Sequence, residues 1–473
     1  MPALYICIYL FAALLSVSLL MLSGSRKGVT GWASLFYLAQ AGFAVWAVIE
    51  GCGQTFWHYL TFDKLGLLFH GLLAVISPIV FYQSRNYLDT ENVRHYRLYN
   101  LGLIALCLAV TGVYYANNAA VTWIFLEATT LATALLVYHR RTVRSLEATW
   151  KYVFVSSVGI AVAYLGILML STAVSGEESL SYPQLRAAMA HANPLYMKLA
   201  FLLILTGYSC KMEVFPLYTV GVDANYAAPT PASALISTAL VNAGFVAFFR
   251  IYRVLEVSDI YTWIKSVLLI TGVLSVMIAA VYLRRTNNFK RLLTYSTVEN
   301  LGIVLIGLGL GGWGVFAALF HLIVHTLIKS GMFMQIGQVG RIFRSYRMNR
   351  SGSYLNIYRF GGIVILMGTV GLLAFPPSGL FISELIILRE MIAGEHWVVL
   401  VLFGLLVCLI LYTLCRRFFG LLFRPIDTGK AEPGIVNPIS TGLQFLLIGA
   451  ALVLGIVQPG PLVEWIDAII AGL

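Results

Sequence analysis

Long apolar runs separated by short polar segments fill the chain. Runs such as 98–115 and 399–415 approach the length of about 20 residues at which a helix crosses the hydrocarbon core of a membrane. Lipid offers no partners to backbone N–H and C=O groups, so runs of this length are helical. A window of about 19 residues predicts about fourteen spans, at 3–22, 32–50, 65–83, 97–115, 120–138, 150–172, 197–217, 230–253, 263–283, 291–311, 313–337, 360–390, 397–420 and 441–466.

Basic residues concentrate in every second loop, after spans 1, 3, 5, 9, 11 and 13. These residues are Arg26, Lys27, Arg85, Arg94, Arg97, Arg140, Arg141, Arg144, Arg284, Arg285, Lys290, Arg341, Arg344, Arg347, Arg350, Arg416, Arg417, Arg424 and Lys430. The positive-inside rule places these loops in the cytoplasm. We therefore expect a multi-pass protein of the cell membrane with both termini on the outer face. Arg250 and Arg253 are exceptions to the pattern.

Composition agrees with an all-α integral membrane fold, a single polytopic domain over 1–473. Apolar residues make up 60% of the chain and charged residues 11%, against about 25% charged in soluble proteins. The net charge of +11 is explained by the cytoplasmic loops, so nucleic-acid binding is not predicted. The six cysteines lack CxxC spacing, and no phosphate-binding or dinucleotide-binding glycine motif is present. We predict no cofactor or metal site in this chain.

Ionisable residues inside predicted spans are the informative feature, because each costs roughly 2.5–3.5 kcal/mol at the bilayer centre. They are Glu127, Lys211, Glu213, His321, His325, Lys329 and Glu384. His321, His325 and Lys329 follow a four-residue spacing, which puts them on one helix face as a ladder about 12 Å long. Structural hydrogen bonds between helices are one interpretation. Several ionisable groups together favour a proton path. Glu299 is expected to be interfacial, with cytoplasmic proton entry as the alternative.

Prolines interrupt two of the spans. Pro216 follows Lys211 in span 7, and Pro376 and Pro377 precede Glu384 in span 12. Each is the fourth span of a five-span block, 4–8 or 9–13, and paired breaks are typical of inverted-repeat transporters. The pattern predicts two inverted repeats with broken helices 7 and 12. The divisions are peripheral helices 1–3 at 1–96, repeats at 97–255 and 256–425, and helix 14 at 426–473. Proline kinks used only for packing remain the alternative.

Four ordered motifs resemble the antiporter-like subunits of respiratory complex I, membrane-bound hydrogenases and multisubunit cation/proton antiporters. They read KMEVFPLYTVGVDANYAAPTPASALI, FKRLLTYSTVENLGIVLIGL, HLIVHTLIKSGMFMQIG and FPPSGLFISELIIL. The resemblance covers about 63–384. APTPASAL is its most specific part, and PPSGLFISELIILRE is similar to hydrogenase-type members.

The resemblance implies a role for each matching residue. Glu127 corresponds to the fifth-span glutamate and Lys211 to the seventh-span lysine, its ion-pair partner. His321, His325 and Lys329 correspond to the eleventh-span relay, and Glu384 to the exit carboxylate of span 12. Asn242 occupies the place where many members have an eighth-span lysine, and we include it in the implied proton pathway. Tyr218 and Asn225 replace two histidines of the family motif.

The family implies a proton-translocating subunit of a redox-driven energy-converting complex. The sequence shows no site for a substrate or cofactor that could supply the energy for transport. Its expected partners are therefore other membrane subunits and a soluble iron–sulfur, hydrogenase-like or quinone-linked module. Whether the parent complex is an enzyme stays open. One alternative is a subunit of a Na⁺/H⁺ antiporter without a redox partner. The other is the membrane subunit of an inorganic-carbon uptake system with a zinc-containing partner.

Overall fold

The computed structural model describes residues 2–172, 180–426 and 436–472, so Lys430 lies outside the described residues. The predicted all-α membrane fold is confirmed. The described residues form twenty α-helices: α1 (Pro2–Leu22), α2 (Arg26–Trp46), α3 (Lys64–Tyr87), α4 (Val93–Tyr115), α5 (Ala119–Val137), α6 (Val143–Ser171), α7 (Tyr182–Ala188), α8 (Pro194–Met212), α9 (Thr219–Ala227), α10 (Thr230–Leu235), α11 (Val241–Leu255), α12 (Tyr261–Arg285), α13 (Phe289–Leu310), α14 (Trp313–Ile342), α15 (Tyr354–Ile357), α16 (Arg359–Leu372), α17 (Gly379–Ala393), α18 (Trp397–Phe423), α19 (Pro438–Ile456) and α20 (Gly460–Ala471).

Short irregular elements complete the described structure. They are the antiparallel strands Thr55–Phe56 and Leu60–Thr61, the π-helices Ala47–Gly51 and Ile236–Leu240, and the 3-10 helices Tyr138–Arg140, Met189–His191 and Met348–Arg350. The second π-helix joins α10 to α11, so that one continuous span runs over Thr230–Leu255.

Thirteen helices of the described chain are long and apolar enough to cross a membrane. The remaining predicted span, 360–390, is divided between α16 and α17, with a cis bond between Pro376 and Pro377 in the connection. The last predicted span, 441–466, is also divided, because α19 ends at Ile456 and α20 begins at Gly460.

The seventh predicted span, 197–217, ends early. Helix α8 stops at Met212, and Glu213 adopts a left-handed backbone conformation with φ +56°. The bond between Phe215 and Pro216 is cis, and the backbone N–H of Phe215 donates to Ser275 Oγ over 3.0 Å. Helix α9 follows, so the proline-containing segment after Lys211 is not part of a continuous helix.

The chain forms two compact units. The first contains Met1–Met212 and Ala227–Thr262, and the second contains Glu213–Tyr226 and Trp263–Leu473. The break after α8 therefore coincides with a change of unit. The inverted repeats at 97–255 and 256–425 stay a prediction.

A buried polar network connects the first four helices in the first unit. Gln40 Nε2 lies 2.7 Å from His70 Nε2 and donates to Thr111 Oγ1 over 3.0 Å. Tyr9 donates its hydroxyl to Gln40 Oε1, and Tyr115 bonds to His70 Nδ1. Each member has partners within the network, so α1–α4 contain polar groups without leaving them unsatisfied in lipid.

Arg250, an exception to the alternating pattern of basic loops, is buried, with 3% of its surface exposed. Its guanidinium donates to the carbonyl oxygens of Val113, Tyr114 and Ala116, where α4 ends. It also forms an ion pair of 2.8 Å with Asp63, the N-cap of α3. Because it satisfies helix-end carbonyls and is paired inside the protein, Arg250 is not a solvated loop charge.

Candidate functional site

The predicted site residues fall into two groups. Those in the first unit are Glu127, Lys211 and Asn242, and those in the second unit are His321, His325, Lys329 and Glu384.

Lys211 occupies the last turn of α8 and is 1% exposed. Its ammonium donates to Thr130 Oγ1 over 2.8 Å, to Thr129 Oγ1 over 3.2 Å and to the Tyr152 hydroxyl over 3.3 Å. The same nitrogen lies 5.3 Å from the centre of the Tyr152 ring, within the range of a cation–π contact. The side chain is thus surrounded by neutral acceptors rather than by a carboxylate.

Glu127 lies half-buried on α5. Its carboxylate accepts hydrogen bonds from Ser157 Oγ at 2.5 Å and from Thr130 Oγ1 at 3.3 Å. In the described part of the chain it makes no direct ion pair with Lys211, although the resemblance implies one. The Thr130 hydroxyl instead accepts from Lys211 and donates to Glu127, so one hydroxyl bridges the two charged groups.

Asn242 is buried in the first turn of α11, directly after the π-helix Ile236–Leu240. Two residues later, Gly244 packs against the end of α8. A Cβ atom at Gly244 would lie 2.8 Å from Lys211 Cβ and 2.9 Å from its carbonyl carbon. The glycine lets α11 approach the backbone of the buried lysine, and π-helical turns are frequent at functional sites.

In the second unit, both ring nitrogens of His321 are hydrogen-bonded. Nδ1 lies 2.9 Å from Ser383 Oγ, and Nε2 lies 3.0 Å from Asn300 Oδ1. The Asn300 amide nitrogen donates to Ser296, so its oxygen faces the histidine. Because an amide oxygen only accepts, Nε2 carries a proton.

His325, one helical turn further along α14, has a different environment. It is fully buried, and neither ring nitrogen has a hydrogen-bond partner among the described residues. Buried polar atoms are usually bonded, so such a pair of free nitrogens is uncommon. The predicted ladder therefore combines a bonded imidazole at His321 with an unbonded one at His325.

Lys329 is fully buried and donates to the Leu293 carbonyl oxygen over 2.6 Å. The carboxylates whose fields reach its ammonium belong to Glu213 and Glu299. Glu299 is 4% exposed and is therefore enclosed by neighbouring residues of the protein. It lies within α13, whose surface is almost entirely covered by neighbouring residues.

Glu384 lies half-buried on α17 and lines one small cavity together with Glu299. The rest of the lining is apolar, from Leu372, Leu373, Val407, Ile410 and Leu411. The cavity offers about 10 Å³ to the centre of a water molecule, which is room for about one water. The two carboxylates therefore share a space that a proton carrier can occupy.

Sequence reasoning left two members of this arrangement out of the predicted pathway. Glu213 was counted only among the ionisable residues inside the spans, yet it belongs to the second unit with Lys329. Glu299 precedes Asn300, and a cluster of polar residues in an otherwise apolar span could have indicated burial. The hydroxyl bridge at Thr130 carries no sequence signal of its own.

Interrupted membrane helices with buried acidic and basic side chains define the class of polytopic membrane proteins built around internal ionisable groups. Residues 116–410 match the family described as NADH:quinone oxidoreductase/Mrp antiporter, TM. The match covers more than half of the chain, and the protein belongs to this family. It is an antiporter-like membrane subunit, as the four motifs predicted.

Two groups of relatives are similar in sequence. A hydrogenase-4 component F homolog from Methylacidiphilum infernorum is 29% identical over 421 residues, covering 85% of this chain and 86% of that protein. The Na(+)/H(+) antiporter subunit A1 of Staphylococcus aureus is 27% identical over 349 residues, covering 70% of this chain and 42% of that protein. The match thus spans less than half of the antiporter subunit.

Two solved structures share the fold. A chain of the membrane-bound sulfane sulfur reductase, an archaeal respiratory membrane complex, matches with a TM-score of 0.87 at 22% identity, covering 99% of this chain and 96% of that chain. A chain of respiratory complex I from Thermus thermophilus matches with a TM-score of 0.76 at 20% identity, covering 96% and 98%. These likenesses show the fold.

Proposed function

We propose that this subunit moves protons across the cell membrane as part of a redox-driven complex. The observation that carries the proposal is the burial of two lysines, Lys211 and Lys329. Lys211 lies at the end of an interrupted helix, and the Thr130 hydroxyl connects it to the Glu127 carboxylate. Lys329 belongs to the ladder of ionisable residues on α14 and has carboxylates nearby. Buried ionisable residues in membrane helices are expensive, and they mark ion pathways in proton pumps and transporters.

In the first unit, Lys211, Thr130 and Glu127 support a step in which the lysine is loaded with a proton. Glu127 and Lys211 carry opposite charges, and the Thr130 hydroxyl connects the two. Separating them leaves a buried ammonium without its counter-ion, and this separation is the step that starts proton transfer in the proposal. Asn242, which is buried in the first turn of α11, is kept as a member of the proposed pathway.

In the second unit, the ladder of Lys329, His325 and His321 supports proton transfer, and Glu384 supports proton exit. Lys329, His325 and His321 succeed one another along α14, so a proton released at one position has a nearby acceptor at the next. Glu299 and Glu384 line the small shared cavity, and we assign Glu384 as the exit carboxylate.

The energy for outward transport is supplied by partners in this proposal. Moving one charge against the membrane potential requires about 2.3 kcal/mol per 100 mV. The two structural matches are chains of respiratory complexes, and a hydrogenase-4 component F homolog is similar along most of the chain. We therefore propose a soluble iron–sulfur, hydrogenase-like or quinone-linked module together with further membrane subunits.

A neighbouring membrane subunit would cover the face of α5 that carries Glu127. Ile124 and Leu131, three residues before and four after, are 55% and 62% exposed, and Glu127 itself is only half-buried. A carboxylate at this depth is poorly accommodated by lipid. In this proposal both termini lie on the outer face of the membrane, as the distribution of the basic loops predicts.

Exchange of Na⁺ for H⁺ is the second candidate, favoured by the similarity to Na(+)/H(+) antiporter subunit A1. Mass spectrometry of the native complex, purified through a tag on this chain, distinguishes the candidates. Co-purifying iron–sulfur subunits support the redox-driven pump, and Lys211→Ala and Glu127→Gln then abolish its proton transport. Antiporter subunits alone would establish the second candidate, and a zinc protein would point to inorganic-carbon uptake.

A further inference from the structure

We infer that Glu213 is a proton-carrying carboxylate of the Lys329 group, the buried cluster formed by Lys329, Glu299 and Glu213 itself. The inference rests on the proposed function and adds a residue to it, since neither the helical ladder nor the motifs assign Glu213 a role.

Glu213 is 2% exposed. Its Oε1 accepts a hydrogen bond of 2.8 Å from Asn225 Nδ2, whereas Oε2 has no partner among the described residues. A carboxylate that serves only as a buried structural acceptor normally has both oxygens satisfied. One oxygen of Glu213 is thus available to take up a proton.

One face of α9 is shaped to receive this carboxylate. A Cβ atom at Gly221 would lie 2.3 Å from Glu213 Oε1 and 2.4 Å from both Cδ and Cγ. Asn225, the donor to Oε1, follows Gly221 by four residues and therefore lies on the same helix face. The missing side chain at Gly221 makes room for the carboxylate, and Asn225 fixes its orientation.

The helix that forms this cradle is attached to α13. Lys290 Nζ donates to the Tyr226 carbonyl oxygen over 3.0 Å, and Arg291 forms an ion pair of 3.5 Å with Asp223. The Arg291 guanidinium also lies 4.6 Å from the centre of the Tyr226 ring. The cradle is therefore held from the N-terminal turn of the helix that also carries Glu299.

The charge balance favours an additional proton. The fields of both Glu213 and Glu299 reach Lys329, so the group holds one negative charge in excess when all three are ionised. Glu384 adds another carboxylate beside Glu299, and His325 faces Lys329 from its own helix. An uncompensated charge in a buried site is unfavourable, so the group binds a proton that Glu213 can accept and release.

The test is proton uptake into inside-out vesicles that contain the intact complex, normalised to the amount of assembled complex. Glu213→Gln keeps the size of the side chain and removes its titration, and we expect transport to fall roughly tenfold or more. Glu147→Gln is the matched control, because it makes the same substitution at an exposed glutamate on α6 that pairs with Lys151, outside the proposed pathway. It should transport protons like the wild type, and Glu213→Asp, which keeps a carboxylate, should transport faster than Glu213→Gln.

A second measurement separates proton transfer from structure. Difference infrared spectroscopy should show the C=O band of a protonated carboxyl group that disappears in Glu213→Gln. A loss of transport in Glu213→Gln without any change in that band would show that Glu213 is only a structural partner. If the Gln variant does not assemble, the assembled Asp variant decides: slower transport supports the inference, and unchanged transport overturns it.

Lys329→Met distinguishes this inference from the proposed function. If Lys329→Met abolishes transport while Glu213→Gln transports like the wild type, only the role of Glu213 is wrong. If the assembled Lys329→Met complex still transports protons at the wild-type rate, the proposed pathway fails, and the inference about Glu213 fails with it.

Discussion

The ammonium of Lys211 donates a hydrogen bond of 2.8 Å to the hydroxyl of Thr130. That hydroxyl donates in turn to the Glu127 carboxylate over 3.3 Å. The two charged residues are therefore coupled through a neutral group that can both accept and donate a hydrogen bond. Any change that moves α5 relative to α8 alters this bridge before it alters the burial of either charge.

Thr130→Val should reduce proton transport more than Thr129→Val. Both substitutions remove one acceptor from Lys211, at 2.8 and 3.2 Å respectively, but only Thr130 also contacts Glu127. A hydrogen bond to a charged group contributes about 1.5–3 kcal/mol, so we expect a loss of roughly tenfold or more for Thr130→Val. Equal rates for the two variants in vesicles would contradict the bridge.

The two histidines of α14 should respond differently to substitution by leucine. His321→Leu removes the hydrogen bonds to Ser383 Oγ and Asn300 Oδ1, so the thermal midpoint of the purified complex should fall. His325→Leu breaks no hydrogen bond and should leave that midpoint nearly unchanged while proton uptake is lost. Wild-type transport by an assembled His325→Leu complex would exclude this histidine from the pathway.

Gly221→Ala should have the same effect on transport as Glu213→Gln, because the new Cβ would displace the carboxylate from its cradle. Gly404→Ala is the control: it adds the same methyl group on α18, where no atom lies within 4 Å. We expect the control to behave as wild type in proton uptake. A Gly221→Ala variant with undiminished transport would show that the position of this carboxylate is not important.

Arg250→Ala should destabilise the protein. The variant leaves Asp63 unpaired and the carbonyl oxygens of Val113, Tyr114 and Ala116 without their donor. Breaking a buried ion pair costs about 3–5 kcal/mol, so less protein should accumulate in the membrane and its thermal midpoint in detergent should fall. Arg285→Ala, at an exposed position in the last turn of α12, is the control. Equal midpoints for the two variants would contradict a stabilising role for Arg250.

The membrane fold could be predicted from the sequence because apolar runs and alternating basic loops report directly on the bilayer. The ladder of His321, His325 and Lys329 could be predicted because residues four apart share a helix face whatever the tertiary structure. The position of Glu213 could not. It follows Lys211 by two residues, but α8 ends between them, and its electrostatic partner is Lys329, distant in sequence.

The bridge at Thr130 and the burial of Arg250 could not be predicted from the sequence, for the same reason. Threonine is common in membrane helices, and only the packing of α5 against its neighbours shows which hydroxyl contacts Lys211. Arg250 looks like a loop residue because the carbonyl oxygens that bind it belong to α4, far away in sequence. Long-range packing selects the partner in each case, and hydropathy carries no information about it.

The most direct test of a proton path through this chain compares Lys211→Met with Lys151→Met in inside-out vesicles. Lys151 is an exposed lysine on α6 that pairs with Glu147 over 2.5 Å, so its variant removes the same charge outside the predicted path. We predict that the complex with the Lys211 variant assembles but accumulates no protons, while the complex with the Lys151 variant accumulates protons like the wild type. Proton accumulation at the wild-type rate by the assembled Lys211→Met complex would contradict it.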